Sequence, residues 1–108
     1  YGKLKNNISV LDLTGFLHPT AAVAGTPRDK AMELIAELEP FDRGGYSGPV
    51  GWIGADGDGE WAIALRGGFI EENIVTAYAG CGLVSESNPK EELAETELKF
   101  APIRNALS

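Results

Sequence analysis

The 108-residue chain carries nine Lys+Arg against sixteen Asp+Glu, for a formal net charge of −7, with one His and one Cys. That length builds one modest hydrophobic core, and 44% hydrophobic with 23% charged residues is globular composition, not that of a disordered chain. The acidic balance excludes a nucleic-acid or anionic-membrane surface, and no apolar run approaches the roughly 20 residues of a membrane span. Cys81 has no partner for an internal disulfide and no signal peptide opens the chain, which points to the cytoplasm. Tyr1 in place of an initiator Met points to a processed or trimmed chain.

The opening stretch from Leu4 to Leu17 has apolar residues at Ile8, Val10, Leu11, Leu13, Phe16 and Leu17, and the mixed period predicts a short helix from Ser9 to Phe16. His18 to Pro27 is small, uncharged and proline-bounded, an ordered loop. A helix follows, with Thr26 as its cap, Pro27 at its first position and Asp29 at the positive end of its dipole. Ala31, Leu34, Ile35 and Leu38 recur at helical spacing until Pro40 stops the run. Residues 41–49 hold glycines and Pro49 and read as turns.

The middle is β. Val50 to Ile53 leads into the polar glycine loop Ala55 to Glu60, and Trp61, Ile63 and Leu65 then alternate with Ala62, Ala64 and Arg66. Phe69 and Ile70 resume after Gly67-Gly68, Glu71 to Asn73 form a second turn, and Ile74 to Val84 reads as a long strand. Short turns between sequential strands predict an antiparallel meander. Asn88 caps a last helix, with Pro89 at its first position and Leu93, Phe100, Ile103 and Leu107 as its apolar stripe. The fold class is α+β, an antiparallel meander with flanking helices, in one domain over residues 1–108.

Four features bear on chemistry. Glu92, Glu95 and Lys99 share one face of the last helix, where two carboxylates one turn apart suit a hard divalent cation and a solvated charged face is the plainer alternative. Arg66, beside the small residues Ala62 and Ala64, has room to grip a planar anion, or to make a surface ion pair. Gly80 and Gly82 let a ligand or another backbone come close to the chain around Cys81, or mark a bend, and Cys81 itself reads as a small buried residue and not a nucleophile. His18 is the only histidine; a packed, hydrogen-bonded role competes there with a catalytic one.

Taken in order, these segments resemble one family. Leu17-His18-Pro19-Thr20-Ala21-Ala22-Val23-Ala24-Gly25-Thr26-Pro27-Arg28 looks like the signature loop of isochorismate synthases. The likeness continues through Glu37 to Gly44, Tyr46 to Trp52, Ala62 to Arg66, Ala79 to Val84 and Glu92 to Lys99. It covers nearly the whole chain and matches the C-terminal portion of the chorismate-binding enzymes, whose strands form two large packed sheets. The resemblance implies a Mg²⁺-dependent isomerisation of chorismate to isochorismate, with water added at C2 and the C4 hydroxyl lost, in menaquinone or siderophore biosynthesis.

It further implies that Glu95 is a magnesium ligand with Glu92 in or beside the metal shell. Arg66 and Lys99 would hold substrate carboxylates with help from Gly80, Cys81 and Gly82, and His18 would line the pocket near the reacting ring. Gly45, Gly67 and Cys81 depart from residues usual in the family (Trp, Ser and Ala). The family's lysine base, its glutamate acid and its other metal glutamate lie upstream of anything in this sequence, so the expectation is a segment that is inactive alone. A salicylate or anthranilate synthase fragment is the enzymatic alternative, and a non-catalytic module self-associating through open strand edges is the rival from another class.

Overall fold

The computed structural model describes residues 8–108; the expectations placed on Tyr1 and on the stretch from Leu4 to Asn7 lie outside them. The chain divides into two compact units, Tyr1–Ile63 and Ala64–Ser108. The first holds α1 (Val10–Leu17), α2 (Ala21–Ala24), α3 (Arg28–Leu38) and the strands β1 (Pro49–Ile53) and β2 (Gly59–Ile63). The second holds β3 (Gly68–Glu71), β4 (Ile74–Ala77) and α4 (Pro89–Leu107).

Helix α1 starts where Ser9 closes a capping box. Its Oγ accepts from the Asp12 N–H at 3.1 Å while the Ser9 N–H donates to Asp12 Oδ2 at 2.9 Å, so two otherwise orphaned donors are satisfied. The Ser9 hydroxyl, donating to Asp12 Oδ2 at 2.6 Å, and then the Ser9 N–H hold the Asp12 carboxyl below its ordinary range. The expected loop after His18 contains a single helical turn, α2, because four small residues close backbone bonds from Val23 and Ala24 back to Thr20. Helix α3 begins one residue later than expected: Pro27 occupies the cap position, and Thr26 is not the cap. On α3, Ala31 and Ile35 are partly buried, whereas Leu34 and Leu38 of the expected stripe are exposed.

β1 and β2 form an antiparallel hairpin in the register Val50↔Ala62, Gly51↔Trp61 and Trp52↔Glu60. Trp61 lies across the strand pair toward Gly51, where a Cβ would run into the Trp61 ring and the Glu60 carbonyl, so only glycine fits. Val10 of α1 comes close over Gly59 of the same hairpin. Trp61 and Ile63 are therefore part-covered by α1, and Ala24 is the one buried apolar residue among those described.

β3 and β4 pair separately, Phe69↔Thr76 and Ile70↔Val75. The α+β class and sequential antiparallel pairing are as expected, but the strands form two hairpins and not one four-stranded ladder. The break falls at residues 64–67, where Arg66 adopts φ 53°. A left-handed residue ends strand alternation, so the expectation that Arg66 shares a strand face with Ala62 and Ala64 fails. The long strand expected from Ile74 to Val84 stops at Ala77. Asn88 does cap α4, its Oδ1 accepting from the Lys90 N–H at 3.0 Å with Pro89 at the first helical position. On that helix Phe100 and Ile103 are partly buried, while Leu93 and Leu107 are exposed. No helix among the described residues is long and apolar enough to cross a membrane.

Candidate functional site

The second unit gathers five of the residues singled out from sequence. Lys99 reaches from α4 to the loop after β4, its Nζ donating to the Gly80 carbonyl at 2.7 Å and pairing with Glu95 Oε1 at 2.6 Å. Glu95 and Lys99 are one helical turn apart, the spacing at which a glutamate meets a following lysine. Glu92, one turn earlier, accepts from Ser87 Oγ at 2.7 Å and also from the Cys81 thiol.

These two bonds, and then the Lys99 charge, hold the Glu92 carboxyl below its ordinary range, so it stays an acceptor over the whole neutral range. Ser87 is a residue that sequence reasoning missed. It precedes the cap of α4, its hydroxyl accepts from the Val84 N–H at 3.1 Å, and it passes that order on to Glu92. The signal available was a serine immediately before Asn88-Pro89, within reach of the first turn of the helix.

Gly82 is exposed, and a Cβ there would meet nothing within 4 Å, so packing does not demand glycine at this point. Cys81 is a free thiol that is half-buried, where a buried residue was expected, and it contributes to holding the Glu92 carboxyl below its ordinary range. Arg66 is exposed, and among the described residues its guanidinium makes no hydrogen bond or ion pair. Arg66 and Gly82 are the two candidates of this unit not drawn into the α4 cluster. Gly67 beside Arg66 has open space for a side chain.

In the first unit, His18 ends α1, its backbone N–H donating to the Thr14 carbonyl at 2.9 Å. Its side chain lines a pocket of about 150 Å³ with Thr14, Leu17, Thr20, Pro49, Trp61, Ala62 and Ile63. A space of that size accommodates a single six-membered ring. Thr20 Oγ1 and Trp61 Nε1 are enclosed without a hydrogen-bond partner at this pocket. Orphaned groups of this kind cost about 1–3 kcal/mol each, so the pocket wall retains unused polar capacity.

The segment between α3 and β1 is held to α2 by Arg43. Its Nε and Nη2 donate to the two Glu39 carboxylate oxygens at 2.7 and 2.6 Å, and its Nη1 donates to the Val23 carbonyl at 3.0 Å. Its guanidinium also lies 5.9 Å from the centre of the Tyr46 ring. The fork-on-carboxylate geometry draws the Glu39 carboxyl below its ordinary range.

Residues 1–108 match the family model described as chorismate binding enzyme. Isochorismate synthase MenF of Bacillus subtilis is 44% identical over 98% of this chain, which covers 22% of that protein. Anthranilate synthase component 1 of Saccharolobus solfataricus is 40% identical over 98% of this chain and 25% of its own length. A crystal structure of DhbC from Bacillus anthracis, assigned as a 2,3-dihydroxybenzoate-specific isochorismate synthase, superposes with a TM-score of 0.93 at 50% identity. That match covers 98% of this chain and 28% of the other. The chain thus spans about a quarter of the length of the relatives it matches. With motif order, fold and family model in agreement over its whole length, the chain belongs to the chorismate-binding enzyme family.

Proposed function

We propose that this chain supplies the carboxylate-holding and metal-holding part of an isochorismate synthase site, which converts chorismate to isochorismate by adding water at C2 and losing the C4 hydroxyl. The observation that supports this reading is the cluster on α4, where Lys99 joins Glu95 to the Gly80 carbonyl and Glu92, one turn earlier, feels the Lys99 charge. Chorismate is a dianion, and an acidic chain needs cationic groups focused at one place to hold it. Lys99 presents its ammonium beside Gly80, and Arg66 has an uncommitted guanidinium with the fork geometry that grips a carboxylate in two places.

Mg²⁺ fits the donor set. Glu92 and Glu95 offer hard carboxylate oxygens one turn apart, with Glu92 held ionised. No group of three or more His, Cys, Asp or Glu side chains converges among the described residues. Mg²⁺ takes one or two carboxylates and fills its remaining positions with water and substrate oxygen. When bound, Mg²⁺ would supply positive charge to offset the negative charge of substrate oxygens. Glu95 would be its ligand, with Glu92 in or beside the shell, and Lys99, which pairs with Glu95 here, would hold a substrate carboxylate. In the first unit, the His18 pocket has the volume of one ring.

The acid and base that the family resemblance calls for are not among these residues, and each contributes typically 10²–10⁴-fold. The 108 residues by themselves should therefore bind chorismate without turning it over. Calorimetric titration with chorismate, with and without Mg²⁺, tests the first part: affinity should need the metal and fall at least tenfold in Lys99→Met. No heat of binding with Mg²⁺ present refutes the proposal. A chromatographic product assay with chorismate and Mg²⁺, also run with ammonium, tests the second. Isochorismate that disappears in Glu95→Ala would show the chain to be complete, and anthranilate formed only with ammonium would assign it to the amine-forming branch.

A further inference from the structure

We infer that Ser87 is a positioning residue for the metal-holding carboxylates: it fixes the carboxylate of Glu92 and joins it to the backbone of the segment before α4. The inference rests on the reading above, in which Glu95 and Glu92 hold Mg²⁺. A hydroxyl has one proton to give and two lone pairs to offer. The Val84 N–H takes a lone pair of Ser87 Oγ at 3.1 Å, and the Ser87 N–H donates back to the Val84 carbonyl at 3.0 Å. Held in both directions by that turn, Ser87 places its one proton on Glu92 Oε1, 2.7 Å away.

This bond is not a helix cap. Asn88 performs that task, its Oδ1 accepting from the Lys90 N–H. Nor does the other serine of the turn substitute for it, because Ser85 spends its hydroxyl on the adjacent Glu86 at 2.6 Å. The Glu92 backbone is pinned as well: its N–H donates to the Asn88 carbonyl, and its own carbonyl accepts from the Thr96 hydroxyl, both at 3.0 Å. With the helix fixing its backbone and Ser87 fixing Oε1, Glu92 gives up side-chain freedom in advance of any ligand.

The segment Gly80 to Val84 is thereby tied to α4 at both ends, by Lys99 at Gly80 and by Ser87 at Val84. Each carboxylate belongs to one of these ties, Glu95 through Lys99 and Glu92 through Ser87. A hydrogen bond behind a metal-holding carboxylate sets the direction in which its free lone pairs point, and losing such a bond typically costs about 10–100-fold in metal affinity.

The test is titration of the 108-residue chain with Mn²⁺, which shares the preference of Mg²⁺ for carboxylate and water oxygen, read by the electron paramagnetic resonance of the free ion. Ser87→Ala should weaken Mn²⁺ binding by about tenfold or more, and Ser87→Thr, which keeps the hydroxyl, should bind close to wild type. In a Glu92→Gln background, Ser87→Ala should have no further effect, because Ser87 acts through that carboxylate. Asn88→Ala loosens the helix start but leaves the Ser87–Glu92 bond, and it should bind Mn²⁺ nearly as the parent does.

Wild-type affinity in Ser87→Ala, an equal loss in Asn88→Ala, or an undiminished effect of Ser87→Ala in the Glu92→Gln background would each overturn the inference and leave the proposed function standing. A parent chain that binds no Mn²⁺, or binds it equally well in Glu95→Ala, would overturn the metal-holding reading and this inference with it.

Discussion

Replacing Arg43 with Met removes the guanidinium that ties α2 to the segment between α3 and β1, and it keeps most of the aliphatic stem. Three hydrogen bonds are lost: two to Glu39 and one to the Val23 carbonyl. The Arg43 and Glu39 side chains are 25% and 28% exposed, so the pair is neither a fully solvated ion pair, worth about 0.2–1 kcal/mol, nor a dry one. Charge-assisted hydrogen bonds contribute about 1.5–3 kcal/mol. Allowing for partial solvent screening, the loss should be about 2 kcal/mol, roughly a thirtyfold rise in local opening.

The assay is amide hydrogen exchange at neutral pH, read at Ala24, Gly25 and Tyr46, whose N–H groups donate to Thr20, Ala21 and Arg43 carbonyls. The sign of the pH dependence is fixed by Glu39. Its carboxyl is lowered in the folded chain from an ordinary value of 4.5, mainly by the hydrogen bonds from Arg43. The stabilisation is therefore present above the unfolded value and disappears as pH falls through the lower folded one. Arg43 stays charged throughout, so no loss is expected on the alkaline side within the working range. Exchange that is unchanged in Arg43→Met, or equally accelerated in the double variant Arg43→Met/Glu39→Gln and in the sum of the single variants, would refute the coupling.

Other expectations are as specific. Ser87→Ala should raise the Glu92 titration toward an ordinary carboxylate value, read by carbon NMR of that carboxyl, and an unchanged titration would remove Ser87 from the site. Asn88→Ala should cost α4 about 1 kcal/mol at its first turn, seen as faster exchange of the Lys90 amide; equal exchange would refute the cap. Gly51→Ala should destabilise the β1–β2 hairpin by about 1–3 kcal/mol, because the new methyl meets the Trp61 ring and the Glu60 carbonyl. Urea unfolding followed by tryptophan fluorescence reads this, and a wild-type midpoint would show that Trp61 does not lie over Gly51.

Local chemistry made much of this molecule readable in one dimension. The Asn88-Pro89 start of α4 and the glycine loop between β1 and β2 each act within a few residues, so their patterns survive in sequence, while Ser9, expected inside the first helix, is its cap. The same holds for Glu95 and Lys99, whose meeting is set by helical spacing alone. Motif order over the whole chain was enough to suggest the family that the family model and the superposition then showed.

Contacts between distant segments were not readable in that way. Lys99 reaches Gly80 across nineteen residues, and Arg43 reaches Val23 across twenty. Hydropathy alternation continued past Ile63 toward Arg66 and past Ala77 toward Val84, but it reports only which residues favour a strand. Whether a partner edge is there to complete the ladder depends on the tertiary surroundings. The left-handed backbone at Arg66 ended the first run and the second stopped at Ala77, leaving two hairpins where a continuous ladder was expected. Sequence by itself therefore determined the family, the Asn88 cap of α4 and the residues on the α4 face, because each rests on motif order or short-range spacing. Only the tertiary structure decided strand pairing, the tie between Lys99 and Gly80, and which apolar faces stay bare, because those depend on what lies against each segment in space.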